Sequence, residues 1–207
     1  EYSQKVVQTI ICHPDKKQIL PMMPEAITNT DGKKKQDCEI NAAKRLLPKL
    51  RAQHPRMPFI WLADSLYATA PFITEIKKHQ EDYLFRVKQG DHFILFNHIE
   101  TAAYESHKSI QGRTTLAMRW YKDVPLNDSS NMTTTVIKAF VINIDRKGNK
   151  TSTIAGIWIT SLEINASTVT SITRAARARW KIENECFNTV KNQGYNLTHN
   201  WGHVNGE

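Results

Sequence analysis

Phe59-Ile60-Trp61-Leu62-Ala63 followed by Asp64-Ser65 is the stretch that decides the fold. Five consecutive apolar residues stand between Pro55 and Pro58 on one side and a polar turn on the other. A short continuous run bounded by breakers predicts a strand buried on both faces, as in the parallel part of an α/β sheet. Pro71 then opens a helix bearing Phe72, Ile73 and Ile76, and Tyr83 to Lys88 reads as a second strand. On the upstream side, Ile40, Ala43, Leu46, Leu47 and Leu50 recur at helical spacing behind Asp37 as the expected cap, with Pro48 expected to kink or interrupt the helix. Helix, strand, helix, strand over 36–88 is the pattern of an open α/β sheet.

Further out the pattern changes. Val6–Cys12 and Gln18–Met22 read as a hairpin around His13-Pro14-Asp15-Lys16-Lys17. Between 92 and 162 the sequence predicts strands only: Phe93–Phe96, Thr114–Trp120, Val136–Ile144 and Thr153–Thr160, joined by turn-rich connections. This predicts an inserted antiparallel β-subdomain. Helical periodicity returns from Ala166 to Asn192, with Gly194 as its stop. The expected division is 1–91 for the first part of a core, 92–162 for the insert and 163–207 for the rest of the core.

The chain of 207 residues is 40% hydrophobic and 23% charged, the composition of an ordinary globular domain, and its net charge of +8 favours a polyanionic partner. No apolar run approaches the ~18 residues of a membrane span, and no charged-apolar-small pattern at the start suggests a signal peptide. Cys12, Cys38 and Cys186 are widely spaced and odd in number, which argues against a disulfide framework or a zinc site. His199 and His203, four apart, are more simply loop contacts than metal ligands.

Two acids stand out. Asp64 follows a buried strand, where ligands of α/β sheets gather, so it reads either as a cation-holding carboxylate or as a turn-capping aspartate. Arg179, Glu183, Phe187 and Lys191 are spaced by four along one side of a helix, with Trp180, Ile182 and Phe187 as anchors and Arg179, Lys181 and Lys191 toward a polyanion. The plain alternative is an Arg-Glu surface pair on an amphipathic helix.

Arg179-Trp180-x-Ile182-Glu183 with Phe187 and Lys191 resembles the carboxy-terminal signature of insertion-sequence DDE transposases. Leu62-Ala63-Asp64-Ser65-Leu66-Tyr67-Ala68 resembles the strand end carrying their second catalytic aspartate, and Lys35–Glu39 and Asn192–Leu197 are similar to further family stretches. The resemblance implies an α/β, ribonuclease-H-like mixed sheet with flanking helices and the inserted β-subdomain. It implies a metal-dependent enzyme that cleaves and transfers DNA strands, with Asp64 and Glu183 as catalytic, metal-binding acids. Magnesium is the implied ion, with manganese able to substitute. Arg179, Lys181, Asn184, Lys191 and Lys88 are the implied DNA contacts. The implied partners are DNA (transposon ends and target) and a second copy in the active complex, in a prokaryotic, nucleoid-associated cytoplasmic setting with no membrane.

Three features depart from the family pattern. The family tyrosine falls at Ala176. Lys191 stands eight residues after Glu183, where seven is the usual spacing. The first catalytic aspartate belongs on a first core strand expected upstream of Glu1, since Asp15, Asp31 and Asp37 occupy turns or a helix start. The fragment is therefore expected to be inactive alone, and an inactive or domesticated DNA-binding module is the alternative.

Overall fold

The computed structural model describes residues 5–28, 30 and 34–192. Elements in chain order are β1 (Lys5–Val7), β2 (Ile10–Cys12), β3 (Ile19–Pro21), β4 (Glu25–Ile27), α1 (Lys35–Gln53), β5 (Ile60–Ala63), α2 (Ala70–Lys78), β6 (Asp82–Arg86) and α3 (Phe93–Thr101). There follow β7 (Glu105–Gln111), β8 (Thr114–Pro125), β9 (Thr133–Ile144), β10 (Lys150–Thr160), α4 (Val169–Arg177) and α5 (Asn188–Asn192). Gly194, His199, His203, Asp31-Gly32 and the stretch beyond Asn192 lie outside the described residues.

A six-stranded mixed sheet in the order β5-β6-β10-β9-β8-β7 organises the chain. β5 and β6 are parallel, Trp61 opposite Tyr83, and every other pair is antiparallel. The helix α2 makes the parallel crossover, its apolar face of Phe72, Ile73 and Ile76 fully buried. One side of the sheet, with Phe85, Tyr121, Val136 and Ile159, packs on α1, α2 and α3; the other, with Leu84, Met118, Trp120 and Trp158, packs on α4. This α/β sandwich is compatible with a ribonuclease-H-like core.

The long antiparallel strands are not a separate sheet. β10 pairs with β6, so β7–β10 continue the core sheet directly, Trp158 opposite Arg86. Phe93–Phe96, expected as a strand, is the start of α3: Leu95, Phe96 and Ile99 bury together at helical spacing, a pattern that the short apolar run alone did not separate from a strand. α1 begins at Lys35, with Lys34 in the N-cap position making no side-chain cap bond, rather than at an Asp37 cap, and it continues through Pro48 to Gln53 without interruption.

The amino-terminal hairpin forms around the expected turn but is split at Gln8-Thr9. Ile11 pairs with Leu20 in the inner ladder, while Lys5 pairs with Ile27 in a second ladder beyond Pro21 and Pro24. Both ladders stand apart from the main sheet. β5 is consequently an edge strand, and Ile60 is 49% exposed, whereas burial on both faces was expected of it. Two adjoining cavities of ≈ 230 and ≈ 360 Å³ separate Val7–Cys12 from Phe59–Asp64.

The edge is anchored from one side. Glu81, buried at the foot of β6, accepts from Arg51 Nη1 at 2.7 Å and from the Trp61 indole N–H, joining α1, β5 and β6. Glu25 of β4 accepts from Arg45 Nε at 2.9 Å and Lys49 Nζ at 2.6 Å. The Lys49 contact first, then Arg45, holds the Glu25 carboxyl below its ordinary pKa.

Two predictions follow from this packing. A methyl group at Gly156 would overlap the Trp158 indole on the α4 face. Gly156→Ala is expected to cost about 1–3 kcal/mol by urea denaturation, and an unchanged midpoint would refute that packing. His92 is buried, with its Nε2 lacking a partner among the described residues, and burial lowers its pKa. The unfolded chain then takes up a proton below its usual value near ~6.5 while the folded chain resists it, so stability falls as pH drops through and below that value. His92→Gln should flatten this acid limb of a denaturation-versus-pH profile.

Candidate active site

The carboxyl ends of parallel β5 and β6 point the same way, and the chain turns sharply after each. Asp64 leaves β5 in extended conformation and its Oδ1 accepts the Leu66 N–H at 3.1 Å, closing the turn Ser65–Tyr67. The capping role and the outward placement at the strand end are therefore realised together, with one carboxylate oxygen in the cap. Ser65 Oγ donates to Asp91 at 2.5 Å, tying this turn to the one after β6. Lys88, at the head of that second turn, is exposed at the same end of the sheet.

Tyr67 closes the turn from below. Its Oη donates to Glu39 Oε1 at 2.7 Å and its ring packs 5.2 Å from that of Phe72. Burial first, then the bond to Glu39, pushes the phenol pKa well up, so Tyr67 remains a neutral donor. Glu39 lines the smaller cavity beside Asp64, a placement not identified from sequence, because one acid on the polar side of an amphipathic helix carries no distinguishing signal.

The second acid arrives from the other end of the chain. After α4 the backbone tightens to a 3₁₀ turn over Ala178–Trp180 and then widens to a π-helical turn over Ile182–Phe187 before α5. Glu183 sits in that widened turn. Arg179, Ile182, Glu183 and Phe187 line the same cavity as Asp64. Glu183 is exposed and accepts from Arg179 Nη1 at 2.8 Å, so the pair expected on an amphipathic helix is present, but it faces the cavity. The expected helix over 166–192 is thus helical throughout its later part, with its register changed at Glu183.

The other expected site residues fall in different surroundings. Lys191 is exposed, its Nζ 5.8 Å from the Phe187 ring. Asn184 is exposed and donates to the Trp180 carbonyl at 3.2 Å. Trp180, expected as an anchor, is 45% exposed. Lys181, expected to face a polyanion, is 5% exposed. Its ammonium donates to the carbonyls of His13 at 2.5 Å, Pro14 at 3.3 Å and Lys16, all in the hairpin turn. Its position beside Arg179 in sequence concealed this, because only the tertiary placement of the hairpin gives it carbonyl partners.

The model of the transposase DDE domain family matches residues 22–200, spanning α1, the Asp64 turn, the whole six-stranded sheet and the Glu183 helix. The chain belongs to that family. No curated protein matches it. Transposase DDE domains carry out transposition-related DNA cleavage and generally use divalent metal ions, with DNA as substrate. No helix among the described residues of this transposase domain is long and apolar enough to cross a membrane.

The residues present fit a divalent cation in part. Asp64 and Glu183 bring hard carboxylate oxygens to one cavity, the donor type that magnesium takes. Among the described residues no group of three His, Cys, Asp or Glu side chains is placed to hold a metal together.

Replacing Lys181 by methionine keeps its length but removes the donor to three carbonyls of the hairpin turn. Lys181→Met is expected to destabilise the protein by about 1.5–3 kcal/mol, read by urea denaturation, with little change in DNA affinity. Weakened DNA binding at unchanged stability would place its charge on the nucleic acid instead.

Proposed function

We propose that this domain performs metal-dependent DNA strand cleavage and transfer as the carboxy-terminal catalytic part of an insertion-sequence DDE transposase. Asp64 and Glu183 are its second and third catalytic acids, and 92–162 is the insert between them. The observation that carries the reading is that two acids 119 positions apart line one cavity at the carboxyl end of the sheet. Magnesium, or manganese in its place, would be held by these two carboxylates. Such an ion lowers the pKa of an attacking water or hydroxyl and neutralises charge on a leaving oxygen. The chain's own residues orient the acids: Leu66 N–H fixes Asp64, and Arg179 holds Glu183.

The π-helical turn bears on the spacing of Lys191. A turn with i→i+5 bonding accommodates one residue more than an α-turn. The one-residue excess between Glu183 and Lys191 is absorbed there, which returns Lys191 toward the side of the helix that carries Glu183. Lys191, Arg179, Asn184 and Lys88 then contact the DNA backbone, and Lys181 serves the packing of the helix.

The slot between Val7–Cys12 and β5 is the place for the first core strand and its aspartate. Among the described residues both flanking strands offer an edge without a partner, and the walls are mainly apolar. We infer that the 207 residues alone bind DNA without strand transfer, in a complex that is dimeric on paired ends, in a prokaryotic cytoplasm. Turnover by the purified chain with magnesium and its cognate ends would overturn this. In an enzyme completed by that strand, Asp64→Asn and Glu183→Gln should each lower cleavage more than about 100-fold while leaving DNA affinity nearly unchanged. Activity surviving either substitution would remove that residue from the catalytic set.

A further inference from the structure

Asp64 stands at the end of a strand held on one side only. Among the described residues β5 pairs with β6 alone, so a single ladder steadies the backbone that presents the acid. The turn beyond it is closed at two points. Leu66 N–H donates to Asp64 Oδ1 at 3.1 Å, and Tyr67 N–H donates to the Asp64 carbonyl at 3.3 Å. Tyr67 therefore belongs to the same hydrogen-bonded turn as the acid, and whatever fixes its side chain restrains that turn. Toward β6 the tie is Ser65 to Asp91. Toward the cavity it is the Tyr67 hydroxyl, donating to Glu39 Oε1 at 2.7 Å.

Glu39 differs from the other acids that α1 engages. Glu25 and Glu81 are each neutralised by cations of that helix. No Lys, Arg or His among the described residues forms an ion pair with Glu39. It is half-buried near the start of α1, four residues before Ala43, and both line the cavity with Asp64. Its partner is a phenol that burial and the shared bond keep protonated. A hydrogen bond to an ionised acceptor is the stronger kind, so this one contact fixes the tip of Tyr67. Glu39, Asp64 and Glu183 do not converge as a three-acid metal cluster among the described residues. Glu39 is thus placed to steer the turn and not to ligate.

We propose that Glu39 is a positioning residue for Asp64: its carboxylate anchors the Tyr67 hydroxyl, and Tyr67 carries that restraint to the turn that aims the acid. Groups that orient a metal-binding side chain typically contribute about 10–100-fold in metal affinity. This rests on the reading of Asp64 as a cation-binding acid and extends it to α1.

The experiment titrates Mn²⁺ into the 207-residue protein and follows the free ion by its EPR signal, with folding of each variant checked by circular dichroism. Tyr67→Phe and Glu39→Leu should each weaken Mn²⁺ binding about 10-fold. Glu39→Gln keeps an acceptor for the hydroxyl and should recover most of that loss, which a merely structural or purely electrostatic role would not produce. Unchanged affinity in folded Tyr67→Phe and Glu39→Leu, with binding still lost in Asp64→Asn, overturns the proposal and leaves the reading of Asp64 standing. Glu39→Gln as weak as Glu39→Leu also overturns it, because Glu39 would then act by charge. Binding that is indifferent to Asp64→Asn removes the reading of Asp64 itself, and the proposal with it.

Discussion

The Lys181 ammonium among the carbonyls of the hairpin turn is the contact on which the arrangement of the site depends. Among the described residues the hairpin has no backbone pairing to the main sheet, and Glu183 reaches the cavity on the helical segment that follows α4. By donating to His13, Pro14 and Lys16, Lys181 fixes that helix to the hairpin across the slot. A buried ammonium is costly unless its hydrogens are all received, and here they are. The residue two positions on is Glu183, so the clamp also sets where the second acid stands over the cavity.

Around that clamp the two acids are held by unlike means. Asp64 is fixed locally by its own turn, which is tied to the neighbouring turn by Ser65 and Asp91 and to α1 by Tyr67 and Glu39. Glu183 is held by one partly exposed ion pair with Arg179 inside a widened helical turn. An exposed pair of this kind contributes at most about 1 kcal/mol, so Glu183 is the more easily redirected acid. The rigid partner on the sheet and the adjustable one on the helix meet at the cavity, with the large sheet as a fixed platform behind both.

Much of this was legible in the sequence. The apolar run at Phe59–Ala63 with Asp64 behind it, the helix of Phe72, Ile73 and Ile76, and the spacing of Arg179 and Glu183 each specify local geometry, and the family match agrees with the reading they gave. What failed depended on neighbours. Phe93–Phe96 is as apolar as a strand, and only burial of Leu95 and Ile99 on one side decides for helix. β5 looked doubly buried because an apolar run does not report that its strand lies at the edge of a sheet. The pairing of β10 with β6 was not foreseen, since no pattern in either strand announces its partner. Lys181 looked like its neighbours Arg179 and Lys191 because charge is read without direction.

Mn²⁺-induced broadening of backbone amide signals in the 207-residue protein tests most directly whether Asp64 and Glu183 share one cation. Selective loss of the Leu66 and Tyr67 amides together with those of Glu183 and Asn184, at one titration midpoint, is the predicted result. Broadening confined to one of the two segments, or separate midpoints for each, would contradict a shared site.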